Sequence, residues 1–223
     1  MTQPEPVGIL GGTGPLGRGL GRRLAAAGTP VVLGSRDAIR AATAATTAAA
    51  ALGDEAAEIR GGTNAEAAGC PTVLVAVPYD GHAALLEELS EVLAGRLVID
   101  CVNPLGFDKQ GPHPLRPEAG SAAQEAAALL PDSRVIAAFH HLSAELLNDP
   151  EVDSLDCDVL VLGEDRDDVA AGVALADLLP GVTGVYGGRL RNAGQVEALT
   201  ANLIAINRRH RVHSGIRVTG LPR

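Results

Sequence analysis

Short apolar runs alternate with longer amphipathic stretches along most of the chain. The runs have the length of strands, and a run that is apolar throughout is typical of a strand buried on both faces. The continuous run from Thr72 to Val77 is the clearest and indicates a central parallel strand. The pattern predicts strands at Val7–Leu10, Val31–Leu33, Glu58–Arg60, Thr72–Val77, Leu97–Cys101, Arg134–Phe139, Cys157–Leu162 and Val182–Tyr186.

Between these runs, apolar residues recur every three or four positions, which is the spacing of an amphipathic helix. Leu16, Leu20 and Leu24 follow this spacing after the first strand, and an Ala-rich segment of strong helix propensity covers 38–52. Further helices are predicted over 85–93, 121–130, 169–178 and 189–210. Strands that alternate with helices indicate an α/β fold with a doubly wound, mostly parallel sheet of Rossmann type.

The C-terminal stretch is expected to stand apart from this alternation. We predict a dinucleotide-binding domain over 1–188 and a small helical segment over 189–223. The segment is too short to bury a core of its own, so it must pack on the main domain, on a second copy, or on both.

Two other segments carry turn signals. Residues 105–119 hold three prolines and little periodicity, which predicts a long irregular loop, either functional or merely mobile. Gly187 and Gly188 are expected to end the last strand. Side-chain caps are predicted at Thr63 or Asn64, for a brief helix to Ala68, and in a Ser121–Gln124 capping box.

A glycine-rich turn follows the first strand. Gly12, Gly14 and Gly17 fit G-x-G-x-x-G between a strand and a helix, and Gly11, Gly14 and Gly17 equally fit G-x-x-G-x-x-G. Such glycines allow a tight turn, a close approach to a pyrophosphate, and close packing of the helix on the strand. Pro15 suits the first helical turn, where its missing N–H costs no hydrogen bond.

The residues after the second strand bear on the choice of nucleotide. Folds specific for NAD carry an acidic residue here for the ribose 2′-hydroxyl. This chain has Ser35 and Arg36, with Arg40 one turn later, and these suit a 2′-phosphate. Asp37 could accept a 2′-hydroxyl if it turned inward. Alternatively, Ser35 caps a helix and the arginines are solvated. We favour NADP.

Composition narrows the class of protein. The formal net charge of -9 argues against non-specific binding to nucleic acid or to an anionic membrane. Only two Tyr, two Phe and no Trp are present, so the core is expected to be aliphatic. Three scattered cysteines predict buried thiols in a reducing cytoplasm. Residues 1–6 lack signal-peptide architecture, and no apolar run is long enough to span a bilayer.

Residues that could donate a proton are scarce. Neither tyrosine has a lysine four positions later, which excludes the Tyr-x-x-x-Lys pair of short-chain dehydrogenases, and Lys109 is the only lysine. His140 and His141, at a strand end, are the best titratable candidates. His210 and His213 are one turn apart, but no carboxylate or cysteine is in local register to complete a metal site. Hydride transfer between two cofactors requires proximity more than an acid, and it suits such a cleft.

Six short motifs are spread along nearly the whole chain, at 11–17, 34–36, 77–79, 121–123, 139–140 and 215–216. In their order and spacing they resemble those of the NADPH-dependent coenzyme F420 reductases, also called F420:NADP oxidoreductases. The resemblance implies reversible hydride transfer between C4 of NADP(H) and C5 of the 5-deazaflavin coenzyme F420. It also implies a homodimer with small-molecule substrates.

The same resemblance implies which residues contact the cofactors. The phosphate turn maps to Gly12, Thr13, Gly14, Pro15 and Leu16, and the 2′-phosphate contacts map to Ser35, Arg36 and Arg40. The nicotinamide half would lie near Val77, Pro78 and Tyr79. Residues near the two rings would be Asn103, His140, Leu142, Ala144 and Ser214, with His140 as a positioning group and not as an acid or base.

The chain departs from the family pattern in three places. Pro15 stands where the turn often has Asn, His141-Leu142-Ser143 replaces a Thr-Ile-Pro-like run, and Asn103-Pro104 replaces less polar residues. Two alternatives remain open: an NADPH-dependent imine or ketone reductase, and a non-catalytic NADP sensor.

Overall fold

The computed structural model describes residues 4–53 and 56–221, so the start of the N-terminal stretch 1–6 lies outside the described residues. Within these ranges the strands are β1 (Val7–Leu10), β2 (Val31–Ser35), β3 (Ile59–Thr63), β4 (Thr72–Val75), β5 (Leu97–Asp100), β6 (Leu105–Asp108), β7 (Gly111–Pro114), β8 (Arg134–Ala137), β9 (Cys157–Leu162) and β10 (Val182–Gly188). The helices are α1 (Pro15–Ala26), α2 (Ala38–Ala50), α3 (Asn64–Ala68), α4 (His82–Leu93), α5 (Ala122–Leu129), α6 (Ala144–Asn148), α7 (Arg166–Asp177) and α8 (Ala193–His210).

Eight strands form one sheet in the order β10-β9-β8-β5-β4-β1-β2-β3. From β8 to β3 all neighbours are parallel, whereas β9 is antiparallel to β8 and parallel to β10. The doubly wound, mostly parallel Rossmann sheet that the sequence predicts is confirmed. The chain leaves β1 toward β2 and returns on the other side to β4, so the topological switch point lies between β1 and β4.

The core is aliphatic and lies on both faces of the sheet. Ile9 and Leu33 pack on one face, while Leu10 and Val32 pack on the other, because successive side chains of a strand point to opposite faces. Phe139 is the one aromatic among the largest fully buried side chains of the described residues. Burial on both faces explains why the strands are apolar throughout.

The segment predicted to be an irregular loop over 105–119 contains an antiparallel hairpin, and that prediction is wrong for residues 105–114. Leu105 of β6 lies opposite Pro114 of β7. The Asp108 carboxylate accepts the backbone N–H of Gln110 at 2.7 Å and closes the turn. Prolines are tolerated because a separate two-stranded ribbon leaves one edge of each strand free.

Six strands end at positions other than those predicted: β2 and β3 end two and three residues later, β5 ends one residue earlier, and β4, β8 and β10 also differ. β4 and β8 stop two residues early, because the strands they pair with end at Leu10 and Asp100. β10 continues through Gly187 and Gly188 instead of breaking there. It does so with a register shift between Tyr186 and Gly188.

The caps are partly as predicted. Thr63, and not Asn64, caps α3, in a capping box with Glu66. Ser121 accepts the N–H of Gln124 at 3.0 Å, but the Gln124 side chain faces the Ser121 hydroxyl, so the reciprocal half of that box is missing. α2 is capped by Asp37 and not by Ser35. The helix α6 carries no periodicity signal in five residues and is absent from the predictions.

The C-terminal segment packs on the sheet domain. α8 contacts α5 and the hairpin strand β7. After α8 the chain runs beside β9, where the N–H of Asp158 donates to Ile216 at 2.7 Å and the Arg217 guanidinium pairs with Asp158 at 2.9 Å. No helix among the described residues is long and apolar enough to cross a membrane.

Candidate functional site

The glycine-rich turn lies at the switch point, between the end of β1 and the start of α1. Gly11 has φ +71°, a conformation that other residues rarely adopt. A Cβ on Gly17 would lie 2.8 Å from the carbonyl oxygen of Gly11 and 2.8 Å from the Cα of Gly12, so only glycine lets α1 pack this closely on the turn. Both glycine patterns fit the structure, because Gly11 needs its positive φ and a Cβ on Gly12 would lie 2.8 Å from the Cα of Leu33.

The start of α1 offers free backbone donors. Gly14 is the N-cap, no side chain caps the helix, and Pro15 begins it. The N–H groups of Leu16 and Gly17 therefore have no helical partner, which makes this end suited to phosphate. The Asn64 side chain accepts the N–H of Gly11 at 3.3 Å and ties the turn to α3.

A cleft of about 620 Å³ opens beside this turn. Its walls come from the turn, the β2–α2 connection and the loop after β4. Asp37 faces its own helix, since its carboxylate accepts the N–H groups of Ile39 at 2.9 Å and Arg40 at 3.1 Å. Among the predicted contact residues, the cleft is lined by Thr13, Gly14, Ser35, Arg36, Arg40, Val77 and Pro78.

A second cavity of about 720 Å³ lies between the loops after β5 and β8 and the helix α8. Leu16 lines it, so it reaches the same turn as the nucleotide cleft. The remaining predicted residues on its walls are Asn103, His140, Leu142, Ala144 and Ser214. Pro15 lines a third cavity of about 570 Å³ between α1 and α2, together with Arg18 and Arg40.

His140 and His141 face the second cavity as neutral groups. Burial lowers the pKa of His140 to about 3, with help from His141, while the backbone of Cys101 and Val102 opposes the shift. Burial alone lowers the pKa of His141 to about 4. Among the described residues none of their ring nitrogens makes a well-formed hydrogen bond.

The backbone at His140 is held by two polar side chains. Asn103 donates to the carbonyl oxygen of His140 at 2.9 Å, and the Thr200 hydroxyl of α8 donates to the same oxygen at 3.0 Å. Phe139, just before it, has φ +66°. The turn out of β8 is thus a strained position that contacts from β5 and α8 stabilise.

Tyr79 lines neither of the two cavities and instead joins a buried polar network. Its hydroxyl donates to Glu125 at 3.4 Å. His82 bridges Glu125 and Asp100, at 2.9 and 2.7 Å. Although burial opposes it, these carboxylates raise the pKa of His82 above its ordinary value. His82 therefore links α4, α5 and the end of β5 through its two ring nitrogens.

Glu197 of α8 adds a further buried carboxylate near this network. It accepts the N–H groups of Ala122 and Ala123, at 3.0 and 3.2 Å, at the start of α5. Burial raises the pKa of Glu197 to about 7, against the effect of those N–H groups. Glu197 thereby attaches α8 to the start of α5.

Several residues of the site could not be predicted from the sequence. Asn64, Thr200 and the His82–Asp100 pair each act across long sequence separations, and no local pattern marks them. Of the two histidines near the C-terminus, His213 contacts Glu145 at 3.3 Å. The described residues contain no group of three His, Cys, Asp or Glu side chains that could hold a metal ion.

The fold and the turn between its cavities define a Rossmann-type dinucleotide-binding protein. Comparisons with known proteins narrow this class. Residues 6–104 match the family model of coenzyme F420-dependent NADP oxidoreductases. A relative named F420-dependent NADP reductase, from Methanothermobacter marburgensis, is 37% identical over 97% of this chain and 99% of its own. One of the same name from Methanocaldococcus jannaschii is 33% identical over 96% and 98%.

A solved structure from Arthrobacter sp. FB24 superimposes with a TM-score of 0.78 at 23% identity, covering 96% of this chain and 99% of the other. This likeness concerns the fold. On the full-length identity to its relatives, the chain belongs to the family of F420-dependent NADP oxidoreductases.

Proposed function

We propose that this protein transfers a hydride reversibly between C4 of NADP(H) and C5 of the 5-deazaflavin coenzyme F420. The observation that carries the proposal is the meeting of two cavities at one phosphate-binding turn. Thr13 and Gly14 line the nucleotide cleft, and Leu16 lines the second cavity. Two redox cofactors bound there would have their reacting rings close together, which is the main requirement of hydride transfer.

The nucleotide cleft favours NADP over NAD. Ser35, Arg36 and Arg40 are available for a 2′-phosphate, and guanidinium groups bind phosphate with paired hydrogen bonds. Asp37 is the acidic residue that could have bound a 2′-hydroxyl, and its carboxylate already accepts two N–H groups of α2. The glycines at positions 12 and 17 leave room for the pyrophosphate and for the packing of α1.

The second cavity suits a flat, uncharged ring system. Leu142 and Ala144 give it apolar walls beside the two histidines. Because the pKa values of His140 and His141 are about 3 and about 4, neither is an imidazolium that could act as a general acid near neutral pH. In this proposal His140 positions the ring, Asn103 fixes the His140 backbone, and Ser214 borders the site from the C-terminal segment.

Tyr79 has a different role in the proposal. The aromatic residue follows the strand end at Val77 and Pro78, and its hydroxyl is held by Glu125. Burial, together with Glu125, raises the pKa of Tyr79. We assign it to the neighbourhood of the nicotinamide half of the nucleotide, because it directly follows Val77 and Pro78 of the cleft wall.

We also propose a cytoplasmic homodimer that acts on small molecules and binds no nucleic acid. The two-part division at 188/189 belongs to this proposal, with the segment 189–223 serving the cavity and the subunit interface. Supporting features are exposed Tyr186 on the edge strand β10 and exposed Ile206 on α8. The three buried free thiols suit a reducing compartment. Light scattering tests the dimer, and an Ile206→Glu variant that becomes monomeric would support the interface.

The decisive experiment mixes protein, NADPH and oxidised F420 and follows the loss of deazaflavin absorbance. We expect rapid bleaching that depends on the protein and is much slower with NADH. NADPH binding without bleaching rejects the proposal. A screen of imines and ketones then separates a small-substrate reductase from a non-catalytic sensor.

A further inference from the structure

Two arginines at the C-terminal end of α8 line the second cavity. Arg208 lies in the last turn of the helix, and Arg211 is the residue of left-handed conformation that ends it. Both are exposed, and within the described part of the chain neither guanidinium makes an ion pair or a hydrogen bond. Arg209, between them, does not line the cavity.

The charge of this region contrasts with that of the whole protein. Residues 207–213 contain three arginines and two histidines and no acid, in a chain of net charge -9. Cations are common in the last turn of a helix because the helix dipole favours them. The helix dipole does not explain why these cations lie beside the cavity without a carboxylate partner. Glu145 carries the carboxylate on the cavity wall, and it contacts His213 at 3.3 Å and not an arginine.

The geometry along α8 connects this pair to the ring site. Thr200 holds the His140 carbonyl at 3.0 Å, where the reacting ring is proposed to lie. From Thr200 to Arg208 the helix advances eight positions, or about 12 Å, and Arg211 follows at the end of the helix. Leu203 and Ile204 line the cavity between them. A bound ligand with an apolar head and an anionic tail would have its head against the apolar walls and its tail near the guanidinium groups.

We propose that Arg208 and Arg211 bind the anionic tail of the deazaflavin coenzyme, meaning its phosphodiester and its glutamate carboxylates. This inference rests on the proposed function. Guanidinium groups form paired, charge-assisted hydrogen bonds with both kinds of oxyanion. The pair sets which deazaflavins bind well, and it takes no part in the transfer of hydride.

The test compares Arg208→Gln/Arg211→Gln with wild type, using three hydride acceptors. The first is the deazaflavin chromophore with only its ribityl chain, the second adds the phospholactate, and the third adds glutamates. Because charge-assisted hydrogen bonds are lost, we expect the KM for the tailed acceptors to rise about tenfold and to become less sensitive to salt. The KM for the tail-free chromophore, kcat and the KM for NADPH should stay unchanged.

The matched control is Arg60→Gln/Arg209→Gln, which removes the same charge from positions that do not line the cavity. It should leave every KM unchanged. An unchanged KM for the tailed acceptors in the Arg208/Arg211 variant overturns the inference, as does an equal rise for the tail-free chromophore. A rise with glutamates alone assigns the pair to the carboxylates, and a rise already present with phospholactate assigns it to the phosphodiester. Wild-type protein that reduces no deazaflavin overturns the proposed function, and this inference with it.

Discussion

The Nε2 atom of His82 lies 2.7 Å from Oδ2 of Asp100, and both side chains are fully buried. Asp100 ends the central strand β5, and its second oxygen accepts the N–H of Val102 at 3.0 Å. Glu125 holds the other ring nitrogen of His82 at 2.9 Å. The pair therefore fixes the loop that leads from β5 to Asn103 and the second cavity.

Replacing His82 by Gln is expected to destabilise the protein. The change removes the ring nitrogen that contacts Asp100 and leaves this buried carboxyl group without its partner, which costs about 3 kcal/mol in comparable cases. Urea unfolding measures the change. His113→Gln is the control, because His113 and Asp108 are 3.8 Å apart and exposed, so its effect should stay within about 0.5 kcal/mol. Similar losses in both variants would contradict a special role for the buried pair.

The two histidines of the second cavity should make the fold sensitive to acid. Their pKa values of about 3 and about 4 lie below the ordinary value of 6.5. Below pH 6.5 the unfolded chain therefore binds protons that the folded protein does not, and stability falls as the pH decreases. Each histidine contributes a slope of up to about 1.4 kcal/mol per pH unit.

The raised pKa values of His82 and Glu197 give slopes of the opposite sign, so the readout is a comparison between proteins. We expect His141→Gln to lose less stability than wild type between pH 6.5 and 4.5, measured by urea unfolding at each pH. Parallel curves for the two proteins would show that the pKa of His141 is not lowered in the folded protein.

Arg36→Ala/Arg40→Ala should weaken binding of NADPH far more than of NADH. Two charge-assisted contacts to the 2′-phosphate would be lost, which corresponds to a rise of about tenfold to a hundredfold in the Kd for NADPH. Titration by nucleotide fluorescence measures both constants. Arg60→Ala, at an exposed position of β3 outside both cavities, should change neither. An equal loss for both nucleotides would mean that these arginines do not recognise the 2′-phosphate.

Gly17→Ala should disturb the phosphate turn. The added Cβ would meet backbone atoms of Gly11 and Gly12 at 2.8 Å, which a flexible side chain cannot relieve. We expect a loss of about 1–3 kcal/mol in stability and weaker NADPH binding. The control is Gly53→Ala, since a Cβ there meets nothing within 4 Å. A Gly17→Ala protein that binds NADPH as wild type does would rule out the close-packing argument.

Some elements follow from local sequence patterns, and others do not. The strand from Thr72 and the turn at Gly11–Gly17 follow from periodicity and from glycine chemistry, which act between neighbouring residues. The hairpin over 105–114 was missed because its prolines argue against strands, and only the free edges of the ribbon make them acceptable. Ser35 was considered as the N-cap of α2, but Asp37 is the N-cap, because the Asp37 carboxylate accepts two N–H groups of that helix.

The sequence by itself determined the doubly wound sheet, the phosphate turn, the basic residues after β2 and the family. These depend on hydrophobic period, on backbone freedom and on residues close together in the chain. Tertiary structure alone decided that His140 and His141 are neutral, that His82 is held between two acids, and that Arg208 and Arg211 share a cavity with Asn103. Burial and charge depend on which distant segments pack together, and no local pattern records that.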